Sequence, residues 1–331
     1  MSSEHLNPTV DRIRVLPDSV ICHILSFLPT KQSATTSILS KRWNPLWLSV
    51  LTLDFDDQNL REFATFRHFV YSVIRDPPLS VITSRNNTQT IQSFLLKCDF
   101  SSGFDPHDVN RFIHAVVQRG VQYLNLEMSP FKLSFKLPLC VFSCSNLTAL
   151  KLKALTIDCS SDFNFPLLKT LHLDTILFDG VHDGFLRLLN GCPILEDLEA
   201  KDLLVHSSSL LCYQIEVLQH CPKLQNLTIH EVLFVDGSRD GNGIKDIDWM
   251  DQPIVPECLS SQLKTCSLIG YKGMNCDFHF AKYILKNAKE LQTMTINASP
   301  VDINIKLQML IKLSLCCVQG DQLHVKFHFI D

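Results

Sequence analysis

The chain has 331 residues, of which 46% are hydrophobic and 19% charged, and its formal net charge at pH 7 is −4. This length and apolar content can bury a sizeable core and predict one to three domains. No run of Lys and Arg offers the positive surface that nucleic acids or anionic membranes attract, and no apolar run approaches the roughly 20 residues that cross a bilayer. We therefore expect neither nucleic acid nor membrane as a partner.

The first residues, 1–14, lack the basic start and apolar segment of a secretory signal, so we expect an intracellular protein. Its 13 cysteines are odd in number and scattered, which favours reduced, mostly buried thiols. No phosphate-binding glycine loop, G-x-S-x-G, H-E-x-x-H or CxxC pair is present, which favours a protein without catalytic residues, metal or cofactor. A catalytic cysteine paired with a distant histidine stays open, because 13 histidines accompany the cysteines.

Three short helices are predicted near the amino terminus. Residues 17–19, Pro-Asp-Ser, begin the first helix and Pro29 ends it. Thr30 is placed to cap a second helix that runs to about Leu39, and Ser40 to cap a third. The apolar residues at helical spacing are Val20, Ile21, Ile24, Leu25 and Leu28 in the first helix and Trp43 and Trp47 in the third.

These helices occupy about 35 residues. Below ~40 residues an isolated core usually needs a disulfide, a metal or a partner. Neither a disulfide pattern nor a metal pattern is present. The missing burial therefore comes either from the domain that follows, with the helices as a cap on it, or from another protein. Periodicity alone leaves both alternatives open.

The run DRIRVLPDSVICHILSFLPTKQSATTSILSKRWNPLWLSVLTLDFDD, residues 11–57, resembles a plant F-box motif. It departs at Ser19, where the family usually has an acid, and at Arg14, where it often has Ser. The resemblance implies a three-helix unit that binds a Skp-type adaptor and, through it, a cullin-based ubiquitin ligase. Matched position by position, the implied adaptor-binding residues are Leu16, Pro17, Ile21, Ile24, Leu25, Leu28, Pro29, Ile38, Leu39 and Trp43.

A frame L-x-x-L-x-L recurs along the middle of the chain. Successive frames start 21 to 39 residues apart, mostly near the roughly 20 to 29 residues of a leucine-rich repeat. Each repeat sets one short strand beside the last, so we predict a solenoid with a curved parallel sheet. The frames begin at Ile91, Val121, Leu147, Leu168, Leu195, Leu224, Leu263 and Leu291.

Cysteines recur at one position of these repeats. Cys144, Cys192 and Cys221, with Phe165 in the fourth case, lie three residues before the first leucine of a frame. A small apolar residue at a fixed repeat position is typical of packing, whereas a metal would need facing ligands at coordination spacing. We therefore predict buried thiols at these positions.

The pieces NLTALKLKAL, FPLLKTLHLDTILF, GCPILEDLEA and HCPKLQNLTI resemble the irregular repeats that follow plant F-boxes. In that family such repeats imply a substrate-recognition surface. Alternation along each strand exposes one side, although many exposed polar residues are simply solvated. The candidate target-binding residues are Lys151, Lys153, His172, Asp174, Glu199, Lys201, Thr228 and His230.

An insertion rich in Gly and Asp, residues 235–254, separates two repeats. Asp236, Ser238, Asp240 and Gly241 imitate the opening of a calcium-binding EF-hand loop, but Ile247 stands where the twelfth-position Glu would be. An exposed recognition loop is the better interpretation.

From residue 255 onward the sequence resembles the FBD region of many plant F-box proteins, above all at 255–259, VPECL, and 283–288, YILKNA. We therefore predict an α/β fold of three parts: a three-helix F-box at 8–50, irregular leucine-rich repeats at 51–254, and an FBD-like region at 255–331 that continues the solenoid. The resemblance implies a substrate-recognition subunit of an SCF-type ligase in the nucleus or cytoplasm. A small-molecule-dependent F-box receptor and an interaction scaffold without ligase role are the alternatives.

Overall fold

The computed structural model describes residues 13–60, 62–74, 90–99, 105–129, 135–180, 183–205, 210–230, 233–234, 255–271, 275–298, 307, 311–312 and 324–329. The predicted recognition loop at 235–254 lies outside these residues. In the described part of the chain, no helix combines the length and the apolar character needed to cross a membrane.

Nine α-helices and twelve strands are described, and three of the helices precede the first strand. The helices are α1 Asp18–Leu25, α2 Thr30–Thr35, α3 Trp43–Leu46, α4 Phe63–Ile74, α5 Pro106–Gln118, α6 Gly184–Asn190, α7 Leu210–His220, α8 Glu257–Ser261 and α9 Asn275–Asn287. The strands are β1 Thr52–Asp56, β2 Ser93–Cys98, β3 Tyr123–Met128, β4 Ala149–Asp158, β5 Thr170–Asp179, β6 Asp197–Lys201, β7 Leu204–Val205, β8 Asn226–Ile229, β9 Leu233–Phe234, β10 Thr265–Tyr271, β11 Thr293–Ala298 and β12 His324–Phe329.

All described strand pairs are parallel, and the main sheet has the order β1-β2-β3-β4-β5-β6-β8-β10-β11-β12. The short β7 and β9 extend a second row beside β5. Each strand pairs with the next repeat's strand, as expected when one repeat sets one strand beside the last. The predicted α/β solenoid with a parallel sheet is thus confirmed, and β10, β11 and β12 continue the same sheet.

The leucine frame fixes the register of the sheet. Phe94 pairs with Leu124 and Leu124 with Leu150, and this column of paired residues continues to Met294. Each of its residues stands at the second leucine position of its frame. The side chains of this column are all buried. Alternation along a strand places every second residue in the core. The repeating sequence pattern therefore determines the strand register, because the same frame position must be buried in each strand.

A continuous apolar core extends from Leu53 to Ile296 beneath the sheet. The repeated cysteines belong to it: Cys144, Cys192 and Cys221 are buried free thiols. Burial raises the pKa of the Cys192 thiol to about 12, because an apolar environment disfavours the thiolate. These properties agree with packing at one repeat position.

A left-handed residue recurs at one register position, within β4, within β5 and directly after β6, a feature that the sequence pattern did not predict. Ala154, Thr175 and Asp202 have φ values of 55°, 57° and 49°, and Gly270 stands at the corresponding place in β10. Between β4 and β5 the pairing passes from Lys153–Asp174 directly to Leu155–Ile176, so the two left-handed residues stack. Left-handed backbone is unfavourable for residues with a Cβ, so the chain carries local strain at Ala154, Thr175 and Asp202.

The predicted caps of the second and third helices are wrong. Pro29 occupies the N-cap position of α2, and the Thr30 hydroxyl instead accepts a hydrogen bond from the Asp54 backbone N–H at 2.7 Å. The helix ends at Thr35 and a 3₁₀ turn follows, rather than a helix to Leu39. Ser40 contributes its carbonyl, not its side chain, to the turn before α3.

Candidate docking and recognition surfaces

The amino-terminal helices, with the segment that precedes them, form a unit with its own small core. We call residues 13–50 the helical unit. Its buried apolar side chains are Ile21, Leu25, Leu46 and Val50. Partly buried side chains packed against them are Leu16, Cys22, Leu28, Trp43 and Trp47. The unit therefore buries one side of α1 and leaves the opposite side to solvent.

A concentration of exposed apolar side chains covers the outside of this unit. Seven of the twelve exposed large hydrophobic residues in the described part of the chain lie between residues 13 and 39. Ile38, Val15 and Phe27 are 85%, 76% and 74% exposed. The set, which we call the apolar docking face, comprises Ile13, Val15, Val20, Ile24, Phe27, Ile38 and Leu39. Such concentration is typical of an interaction surface.

The structure divides the ten predicted adaptor-binding residues by exposure. Exposed are Pro17, Ile24, Ile38 and Leu39; partly buried are Leu16, Leu28, Pro29 and Trp43; buried are Ile21 and Leu25. The last two have no exposed surface in this chain, so they can only support the docking face from beneath.

Sequence reasoning missed four members of the docking face: Ile13, Val15, Val20 and Phe27. Val20 lies four residues before Ile24, which puts the two on one side of α1, and Phe27 lies two residues beyond the end of that helix. That spacing was visible in the sequence. However, α1 has apolar residues around most of its circumference, and periodicity does not say which stripe is buried. The Phe27 ring also contacts the His23 ring edge-on, with centroids 4.9 Å apart.

Contacts with the first repeat hold the other side of the helical unit. Trp47 packs against both the core of the unit and the core of the solenoid. The Thr30–Asp54 hydrogen bond joins α2 to β1, and the buried Ser33 hydroxyl donates to the Leu25 carbonyl at 2.9 Å. The solenoid thus covers the Trp47 side of the unit and does not cover the docking face.

The eight candidate target-binding residues share one side of the sheet. We call the outward side of β1–β6, β8, β10 and β11 the open face. Lys151, His172, Glu199 and Thr228 occupy one register row of it. Lys153, Asp174 and Lys201 occupy the next row, and His230 follows β8 beside Lys201. The sequence alternation therefore predicted correctly that these side chains share one side of the sheet.

Most of these residues are paired with one another across neighbouring strands. Lys153 Nζ lies 3.0 Å from Glu127 and Lys201 Nζ 3.1 Å from Asp174. The hydrogen bond from Lys153 to Glu127 raises the pKa of the lysine, because it stabilises the charged form. The open face thus carries a ladder of alternating charges in which each strand supplies the partner of the next.

Two histidines extend this ladder. His172 lies 3.2 Å from Asp197 and 3.4 Å from Glu199, and His230 Nε2 lies 3.7 Å from the same glutamate. Burial lowers the pKa of His230, which Glu199 opposes. Carboxylates therefore flank both imidazoles.

Two parts of the open face differ from the ladder. Lys151 Nζ lies over the Tyr123 ring, 5.9 Å from its centroid, a cation–π distance. Within β8, β10 and β11 the outward side chains are uncharged, and most carry a hydroxyl or an amide: Asn226, Thr228, Thr265, Ser267, Thr293 and Thr295. The open face thus joins a charged half to a neutral polar half.

Comparison with known families finds three family models along the chain. The F-box domain model matches residues 13–53. The model for the LRR repeats of the FBD-associated F-box protein At5g56370 matches residues 109–245, and the FBD model matches residues 253–296. Together these ranges cover more than half of the chain.

Relatives in Arabidopsis thaliana carry the corresponding names. F-box/LRR-repeat protein At4g14103 is 38% identical over 60% of this chain and 51% of its own length. F-box/LRR-repeat protein 13 is 36% identical over 63% of this chain and 44% of its own. FBD-associated F-box protein At4g10400 is 26% identical over 92% of this chain and 97% of its own. The chain thus spans about half of the first two proteins and nearly all of the third.

The F-box model matches the helical unit and the start of β1, the LRR model matches the repeats in the middle of the chain, and the FBD model matches the part from α8 into β11. The chain belongs to the F-box/FBD/LRR-repeat proteins of plants.

Proposed function

We propose that this chain is the substrate-recognition subunit of an SCF-type ubiquitin ligase. The helical unit docks a Skp-type adaptor and, through it, a cullin. The solenoid, including its FBD part, holds a target protein. The observation that carries the proposal is the apolar docking face, which is exposed, lies on the F-box and is separate from the core of the unit.

The energetics favour a protein partner on this face. Removing a large apolar side chain from water stabilises a complex by about 1.5–3 kcal/mol when burial is complete. Seven such side chains on one small unit supply the apolar anchors of a standard interface. They lie on the part of the unit that the solenoid does not cover. The exposed and partly buried predicted residues belong to the proposed contact, with Ile21 and Leu25 beneath it.

The open face supports the target-binding half of the proposal. Its eight predicted residues present charge and hydrogen-bonding groups in fixed rows. Because Lys153, Lys201 and both histidines already have carboxylate neighbours, target binding there has to match an existing pattern of charge. In this proposal the chain itself does no covalent chemistry; it brings the target close to a catalytic partner.

Binding to a purified Skp-type adaptor tests the proposal. The variant is Ile38→Asp/Leu39→Asp, which puts two charges on the exposed docking face without disturbing a buried side chain. We expect the dissociation constant measured by calorimetry to rise at least ~100-fold, because each carboxylate is desolvated in the complex.

The control variant is Leu139→Asp/Leu167→Asp, which charges two exposed leucines of the solenoid. We expect it to bind the adaptor like the wild type. A wild-type chain that does not bind the adaptor, or a docking-face variant that binds as well as the control, would disprove the adaptor role and favour a scaffold outside the ligase.

A further inference from the structure

One arginine connects the three parts of the helical unit that border the docking face. Arg42 lies directly before α3, whose Trp43 and Leu46 pack in the core of the unit. Its Nε donates to Asp18 Oδ1 at 2.8 Å, at the first residue of α1. Its Nη1 donates to the Arg14 carbonyl at 2.8 Å, and its Nη2 donates to the Leu16 carbonyl.

Residues 13–17, the entry segment, contribute apolar surface without belonging to a helix. Val15 is exposed, Leu16 is partly buried and Pro17 precedes α1. The segment is a turn in which the Leu16 N–H donates to the Ile13 carbonyl at 3.1 Å. A turn of this kind keeps its carbonyls in place through partners outside the helix, and here the guanidinium supplies two such bonds.

We propose that Arg42 is a positioning residue for adaptor docking: together with Asp18 it holds the entry segment in the geometry that presents Val15, Leu16 and Pro17. The inference rests on the proposed adaptor role and deepens it. Arginine suits the task because its planar fork donates in several fixed directions at once, whereas lysine is a flexible point charge. Asp18 fixes the plane of the fork by accepting from Nε.

Order in the free chain reduces the entropy lost on binding. A segment that samples many turns must be fixed when the adaptor covers it, and that cost subtracts from affinity. Arg42 orders the entry segment before the adaptor binds and does not touch the adaptor itself, since its hydrogen bonds are directed to Arg14, Leu16 and Asp18. The arginine therefore affects affinity through the entry segment and not through Ile38 or Leu39.

Arg42→Lys is the variant that tests the proposal, and Arg187→Lys is its matched control. Arg187 also donates to a backbone carbonyl and an aspartate, those of Cys159 and Asp162, and its side chain is 34% exposed against 35% for Arg42. We expect Arg42→Lys to weaken adaptor binding about tenfold and Arg187→Lys to leave it unchanged. An Arg42→Lys variant that binds within twofold of the wild type overturns the proposal.

A double-mutant cycle separates positioning from a general structural role. Added to Leu16→Ala/Pro17→Ala, Arg42→Lys should cause little further loss of affinity, because the segment it orders has already lost its contacts. Added to Ile38→Ala, the same change should cost its full tenfold. Equal coupling to both sites would mean that the arginine merely supports the whole unit, and would refute the assignment.

Amide hydrogen exchange tests the ordering without the adaptor. In the free chain, Arg42→Lys should speed exchange of the Leu16 amide at least ~10-fold, while exchange in α1 and the sheet stays as in the wild type. Unchanged Leu16 exchange contradicts the proposal. If the wild type fails to bind the adaptor, the proposed function fails, but the exchange result still decides whether Arg42 orders the entry segment.

Discussion

The helical unit and the solenoid treat apolar side chains in opposite ways. The unit buries four of them within its own core and exposes seven large ones, whereas the solenoid shares one core from Leu53 to Ile296. A repeat array covers each strand with the next, but a three-helix unit of this size has too little volume to enclose its helices. The unit therefore leaves large apolar side chains exposed, and these are the ones proposed to bind.

The largest effect should separate buried from exposed leucines in both regions. We expect Leu25→Ala in the unit and Leu171→Ala in the solenoid each to lower the free energy of unfolding by about 3 kcal/mol, because both leave a cavity. Leu39→Ala and Leu167→Ala, which are exposed, should cost less than ~0.5 kcal/mol. Urea unfolding by fluorescence and circular dichroism measures all four. A Leu39→Ala cost equal to that of Leu25→Ala would break the comparison.

The buried thiols of the solenoid predict a dependence on alkaline pH. Burial raises the pKa of Cys192 from its ordinary value of 9.0 to about 12. The unfolded chain loses this proton first, so the stabilisation is complete below about pH 9 and is lost as the pH rises from there towards 12. Cys192→Ala should make the decline of unfolding free energy shallower, by up to about 1.4 kcal/mol per pH unit.

Cys140→Ala is the comparison. Burial also raises the pKa of the Cys140 thiol, but this residue is only partly buried, so water still reaches it. We expect a smaller change of slope for this variant. Identical slopes for wild type and Cys192→Ala would show that the thiol is not desolvated in the folded chain.

The left-handed residues give the smallest expected effect. All non-glycine residues with positive φ in the described chain lie in the solenoid. Thr175→Gly should raise the free energy of unfolding by roughly 0.5–1 kcal/mol, because glycine adopts φ 57° without a Cβ clash. Thr170→Gly, in extended backbone of the same strand, should lower it by about 1 kcal/mol. Thermal unfolding measures both variants. If both change the free energy of unfolding in the same direction, Thr175 is not locally strained.

Much of the solenoid was predictable because each strand repeats one local rule. Alternation determines which side chains enter the core, and the spacing of the frames determines which residues become neighbours, as the column from Phe94 to Met294 shows. The stacked left-handed residues were not predictable, because Ala154 and Thr175 are residue types that rarely adopt such backbone. Only the pairing of one strand with the next reveals the shared position.

The helical unit was predictable as three helices but not in its details. The caps assigned to Thr30 and Ser40 were wrong. The Thr30 hydroxyl accepts a hydrogen bond from Asp54, 24 residues away, and Ser40 accepts one through its carbonyl instead of its side chain. The side of α1 that contains Ile21 and Leu25 looked equivalent to the side that contains Val20 and Ile24. Arg42 belonged to no periodic pattern. Each of these outcomes depends on contacts between segments distant in sequence.

The amino-acid sequence by itself determined the strand register and the side of the sheet on which Lys151 and His172 lie, since both follow from short-range periodicity. The tertiary structure alone decided which apolar stripe of α1 is covered, how charges such as Lys153 and Glu127 pair across strands, and where the Arg42 guanidinium donates. The physical reason is the same in each case: burial and pairing are properties of neighbours in space, and the chain specifies those neighbours only once it has folded.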